Sequence, residues 1–177
     1  MADDQLELPD GSVVSLAHLA PMPIACPCAS IGRDLVINVT FRNHCYTEKF
    51  QPGIHTREQI VLYDSPSRPR VFCPVRYGLS TNLREIAAEL PNKRVHQTTQ
   101  VRNYVYVATL VESNQFYEVY FMLQRARPED GCDLNLVVES AYPSPAAPAV
   151  PKRPQTIRFQ VLAHKVLLNQ SVRFAAR

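Results

Sequence analysis

VRNYVYVATLVESNQFYEVYFMLQRARPEDGCDLNLVVESAYP, residues 101–143, is the stretch whose reading decides the fold. It holds three runs rich in β-branched and aromatic residues, and each alternates in steps of two. In the first, Tyr104, Tyr106, Ala108 and Leu110 face one way and Val105, Val107, Thr109 and Val111 the other. The second sets Tyr117, Val119, Phe121 and Leu123 against Phe116, Glu118, Tyr120 and Met122. The third sets Leu134, Leu136, Val138, Ser140 and Tyr142 against Asn135, Val137, Glu139 and Ala141. Both faces are largely apolar, so these strands are expected to be central and covered at least in part on both sides. The link around Glu112–Gln115 has hairpin length, and Arg125–Asp133 carries Pro128 and the turn pair Asp130-Gly131. The pattern predicts an antiparallel meander.

Upstream, STNLREIAAEL predicts a helix over 80–90. Ser80 is its candidate cap, Leu83, Ile86, Ala87 and Leu90 form one face, and Pro91 is its stop. Before it, RDLVINVTFR alternates as a strand with Leu35, Ile37, Val39 and Phe41 inward. QIVLYD and RVFCPVRY read as two short strands, the second demoted to an edge or a bulge by Pro74. SVVSL follows the Pro9-Asp10-Gly11 turn as another short strand, whereas PMPIACPCAS reads as an extended surface crossing because of its prolines. Downstream, SPAAPAVPKRP is a stiff connector, and IRFQVLAHKVLLNQ reads as a short strand turning into a helix. The expected class is α+β: a mainly antiparallel twisted sheet with one or two packed helices. It forms one domain over 1–177, comprising a proline-rich extension (1–32), a sheet core (33–143), a proline-rich connector (144–156) and a basic C-terminal segment (157–177).

Composition narrows the function classes. A net charge of +3 on 177 residues does not by itself imply nucleic acid, but its distribution is uneven. Asp3, Asp4, Glu7 and Asp10 make the start acidic, while Lys152, Arg153, Arg158, Lys165, Arg173 and Arg177 share the last segment with no carboxylate. Such a tail meets phosphate, an acidic partner or only solvent. Neither a secretory signal nor a membrane span is legible. Five cysteines, an odd number, argue against a disulfide framework and for reduced thiols in the cytoplasm.

Cys26-Pro27-Cys28, His44-Cys45 and Cys73 do not match zinc-ligand spacing, so neither a metal nor another cofactor is expected. Glycine-rich phosphate loops, G-x-S-x-G and HExxH are missing from the sequence. What remains are polar groups at expected strand ends. His44 follows the 33–42 strand and is either a general acid–base group or a hydrogen-bonded structural histidine. Arg76 is either a phosphate clamp or the partner of a carboxylate such as Glu139. Lys93, Arg94, His96 and Arg102 surround Thr98 and Thr99 and lead into Tyr104 and Tyr106. Basic residues interleaved with aromatics suit single-stranded RNA, although strand tyrosines also serve as core.

The segments NHCYTEKF, RVFCPVRYGLS, YEVYFMLQRA and VVESAYP together resemble small proteins carried on bacterial plasmids and prophages. The ESAYP ending is also similar to the last strand of barnase–EndoU–colicin–RelE-like ribonuclease toxins, which cleave RNA without a metal. That resemblance marks Ser140 and Tyr142, and more loosely His96 with Thr98. His44 and Arg76 match only the plasmid-borne group. It implies a metal-independent ribonuclease toxin with His44 and His96 as acid and base, Arg76 and Arg102 on phosphate, and Ser140 and Tyr142 as orienters. Lys93, Arg94 and Tyr104 would hold the RNA, and an antitoxin would be a partner. The alternative is a non-catalytic protein that engages a partner protein or an acidic surface through a sheet edge and the basic tail.

Overall fold

The structure is a computed structural model that describes residues 4–97, 103–110, 115–144 and 156–172. Period-two alternation becomes β9 (Asn103–Leu110), β10 (Gln115–Arg125) and β11 (Leu134–Ser144), consecutive antiparallel neighbours as the pattern predicts. Gly131 adopts φ 66°, the left-handed conformation that lets the β10–β11 link close after Pro128–Asp130.

The rest of the sheet assembles around them. β4 (Leu35–Phe41) lies parallel to β11, with Ile37 opposite Leu134 and Val39 opposite Leu136. β3 (Met22–Cys26) forms the outer edge beside β4. On the other side stand β8 (Arg94–Gln97) and the edge strand β12 (Thr156–Arg158). The seven-stranded order is β12-β8-β9-β10-β11-β4-β3. Two smaller units complete the picture: the hairpin β1 (Gln5–Glu7) with β2 (Val13–Ser15), and a three-stranded sheet of β5 (Thr47–Lys49), β7 (Pro69–Phe72) and β6 (Ile60–Tyr63).

One face of the large sheet is the core. Leu35, Ile37, Val39, Phe121, Leu123, Leu134 and Leu136 are essentially excluded from solvent. α2 (Leu83–Glu89) adds Leu83, Ile86 and Ala87, and α3 (Phe159–Leu167) adds Phe159, Leu162 and Ala163. The Phe159 ring packs 6.0 Å from that of Phe121. Each of the Leu, Ile, Val and Phe side chains gains about 1.5–3 kcal/mol from burial, which is what anchors both helices to the strands.

Four expectations change. The Pro-rich 20–30 segment is not merely a surface crossing, since Met22–Cys26 is a strand of the main sheet. Pro23 is accommodated because β3 is an edge. RVFCPVRY is not one strand: it divides at Cys73 into β7 and α1 (Pro74–Ser80), with Pro74 in the first turn, where its missing N–H has no partner to lose. Ser80 therefore ends α1 instead of capping the next helix, and α2 starts after Asn82. In β11, Tyr120 pairs with Ser140 but Phe121 with Val138, which leaves Glu139 as a bulge. The bulge turns Ala141 to the core and puts Ser140 and Tyr142 on the opposite face, with Glu118 and Tyr120, instead of with Leu134 and Val138. The 145–155 connector lies outside the described residues. Among the described residues, no helix is long and apolar enough to cross a membrane.

Candidate anion-binding surface

Where β4 leaves the sheet, the chain makes a 3-10 turn at Asn43–Cys45 and enters the three-stranded sheet. The turn is fixed to β11 because Val138 O accepts from Arg42 N at 2.9 Å. The Cys45 thiol, buried beside it, is pushed up to about 12 by desolvation.

Two guanidinium groups meet on one carbonyl. Arg70, itself buried, donates through Nη2 to Thr47 O at 2.9 Å and through Nε to Thr47 Oγ1 at 3.1 Å. Arg76, from α1, donates through Nη1 to the same Thr47 O and to His44 O, both at 3.1 Å. Its guanidinium carbon also lies 5.2 Å above the Tyr142 ring, a cation–π contact that reaches the large sheet. Asp64, just after β6, accepts from His44 Nε2 at 2.7 Å and from Asn43 Nδ2 at 2.6 Å, and lies 3.7 Å from Arg70 Nε. Burial works to raise the Asp64 pKa, but Asn43, His44 and Arg70 outweigh it and hold the carboxyl below its usual range.

Beyond Arg76 the sheet carries a second polar group. Tyr142 stacks on Tyr120 with ring centroids 5.4 Å apart, and the Tyr120 hydroxyl donates to Glu118 Oε2 at 2.5 Å. Burial, and then the Glu118 carboxylate, push the Tyr120 phenol far above its ordinary value.

His44, Arg76 and Tyr142 are thus brought together, and Ser140 lies two residues from Tyr142 on the same face. His96 is separate. Its register runs through Val105 and Tyr120 to Ser140, so it shares that face but stands three interstrand spacings away, about 14 Å. An acid–base pair of His44 and His96 is not assembled. The presumed RNA contacts disperse as well: Lys93 is paired with Glu89 at 2.7 Å, and Arg94 Nε donates to Thr156 Oγ1. Tyr104 is buried against Phe121 and offers no open ring face, which corrects its reading as a stacking platform. Arg102, Thr98 and Thr99 lie outside the described residues. Arg76 does not pair with Glu139; carbonyl oxygens and a ring take its place. Sequence reasoning missed Asp64, Arg70, Thr47, Glu118 and Tyr120, because each is an ordinary loop or strand residue until the sheets come together.

No cluster of three metal-ligating side chains occurs among the described residues. The charge distribution is more telling. Residues 42–76 hold six Lys and Arg against three Asp and Glu, a surplus equal to the +3 of the whole chain. Arg42, Lys49 and Arg68 are exposed and have no ion-pair partner among the described residues. The same segment exposes Ile54 (70%), Tyr63 (58%) and Val75 (59%).

These features define an α+β protein in which a basic, partly apolar three-stranded unit, braced internally by Arg70, is tied to a seven-stranded sheet through Arg76. The chain belongs to the YjaZ family, whose model matches residues 5–167. It is 27% identical over 136 residues to protein YjaZ of Escherichia coli (strain K12), covering 76% of this chain and 72% of that protein. No solved structure matches it.

Proposed function

We propose that this is a non-catalytic binding protein whose 42–76 unit docks an acidic, partly apolar surface of a partner protein in the cytoplasm. The observation that carries this reading is the mixture on that unit: unpaired Arg42, Lys49 and Arg68 beside exposed Ile54, Tyr63 and Val75. Arginine and aromatic side chains with an apolar centre are what protein interfaces select, and unpaired cations favour an acidic partner. Arg70 and Arg76 act as struts, since Arg70 Nη2 and Arg76 Nη1 donate to backbone carbonyls. A labelled peptide alternating Glu with Leu and Phe tests this. It is expected to bind in a salt-dependent way, and Arg42→Glu with Arg68→Glu is expected to weaken binding at least tenfold. Absence of binding, or indifference to the double reversal, overturns the reading.

A second reading, a metal-independent ribonuclease toxin, is favoured by the Asp64-oriented His44 beside Arg76 and Tyr142. There His44 takes the ribose 2′-OH proton, the 2′-oxygen attacks phosphorus, the 5′-oxygen leaves and takes a proton from solvent water, and Arg76 steadies the charge. Under this reading His44→Ala lowers RNA cleavage by roughly 10²–10⁴-fold, and Arg76→Lys lowers it too. Tightly controlled expression followed by inspection of growth and total RNA decides: intact RNA with a harmless wild type ends the nuclease reading.

A further inference from the structure

At the opposite end of β10 from Arg76, the sheet and the end of α3 border an open cavity of about 550 Å³. Its floor is apolar: Tyr104, Leu123, Val166 and Val172. Gln97, Asn169 and Gln170 bring carboxamides to it, together with Ser171, Arg125 and the Gln124 segment of β10. The wall beyond α3 is a built feature. Asn169 takes φ 52°, a left-handed helix end that asparagine tolerates, and Gln170 N donates back to Lys165 O at 2.8 Å. The chain is thereby folded over the cavity, where Val172 packs against the core.

Two properties of the lining select a ligand. None of the Gln97, Asn169 and Gln170 carboxamides has a hydrogen-bond partner among the described residues, and each presents a donor beside an acceptor. Such groups match planar molecules whose edges also carry a donor next to an acceptor, as nucleobases do. Arg125 is the single charged residue of the lining, exposed and without a carboxylate in ion-pair distance among the described residues. A guanidinium so placed suits a two-pronged contact to phosphate or carboxylate oxygens. The volume falls in the range of small-molecule sites, about 300–1,000 Å³.

We propose that this cavity binds a nucleoside monophosphate, with its base between the carboxamides against Val166 and Val172 and its phosphate on Arg125. The site stands apart from the 42–76 unit and does not depend on the function proposed for it. The test is calorimetric titration of the full chain with AMP, GMP, CMP and UMP, alongside adenosine and inorganic phosphate. At least one nucleotide is expected to bind with a Kd below about 1 mM, more tightly than adenosine or phosphate. Arg125→Ala, a change at an exposed position, is expected to weaken that nucleotide at least tenfold and leave adenosine unchanged. Gln97→Ala is expected to alter the ranking of the four bases, and side-chain amide resonances of Gln97, Asn169 and Gln170 are expected to shift on titration. The proposal is overturned if no nucleotide binds, if phosphate alone binds as tightly, if Arg125→Ala changes nothing, or if the shifts fall in residues 42–76.

Discussion

Thr47 carries more of this architecture than its size suggests. Its carbonyl accepts from Arg70 and Arg76, while its hydroxyl accepts from Arg70 Nε and donates to Asn43 O at 2.8 Å. Thr47→Val keeps the shape but removes the hydroxyl, leaving the buried Arg70 Nε–H without its acceptor. A loss of roughly 1–3 kcal/mol is expected in denaturant unfolding, with an unchanged m-value. A loss within error would mean that Arg70 finds another acceptor. Tyr117 is the converse case. Its hydroxyl is buried without a hydrogen-bond partner among the described residues, and desolvation pushes the phenol far up. Tyr117→Phe removes an unpaired polar group at no cost in packing and is expected to hold or raise the melting temperature. A clear fall would indicate that a buried water satisfies the hydroxyl.

Among the elements, the N-terminal hairpin and the turn at Ala17–Leu19 are attached to α1 and α2 by polar contacts. Tyr77 OH donates to Ser15 O at 2.9 Å, and Arg84 Nη1 donates to Ala20 O at 2.9 Å. Ser80 Oγ donates to Tyr77 O, so at 2.7 Å it accepts from His18 Nε2–H. Burial, and then the Arg84 charge, hold the His18 pKa below its ordinary value. The folded state therefore favours the neutral imidazole. That contribution is fully present above the unfolded pKa of about 6.5 and is lost as pH falls through the lower folded value. Stability is expected to decline between pH 7.5 and 5.5, with hydrogen exchange at Leu16 and Leu19 accelerating over the same range. His96 is lowered by burial too and contributes with the same sign. His18→Gln is thus expected to flatten the pH slope without abolishing it, and an unaltered slope would discount His18. The bulge at Glu139 acts at the same scale: one extra residue moves Ser140 and Tyr142 from the core face to the Arg76 side.

For the molecule as a whole, the thiols bear on metal content. Cys26 is raised to about 11 by desolvation, with Cys28 and Asp34 adding to it, and Cys45 to about 12, so both stay protonated at neutral pH. Thiolates, not thiols, bind zinc. The purified protein is expected to carry no stoichiometric zinc and to melt at the same temperature with and without a chelator; a fall on chelation would show metal-coupled folding. The sequence by itself determined the meander, the buried face of α2 and the strand-to-helix turn at 156–167, because period and turn chemistry are local and repeat within each segment. It placed β4 as a strand but not beside β11, and it read Pro74 as a strand defect where it begins a helix. Only the tertiary structure decided that β4 runs parallel to β11, that Glu139 bulges, and that Asp64 reaches His44 while Arg76 reaches Tyr142. Those outcomes depend on which faces find partners across long stretches of chain. Alternation says that a strand has a buried side, but strand order, register and the meeting of distant polar groups are set by non-local packing and by the need to pair buried charge.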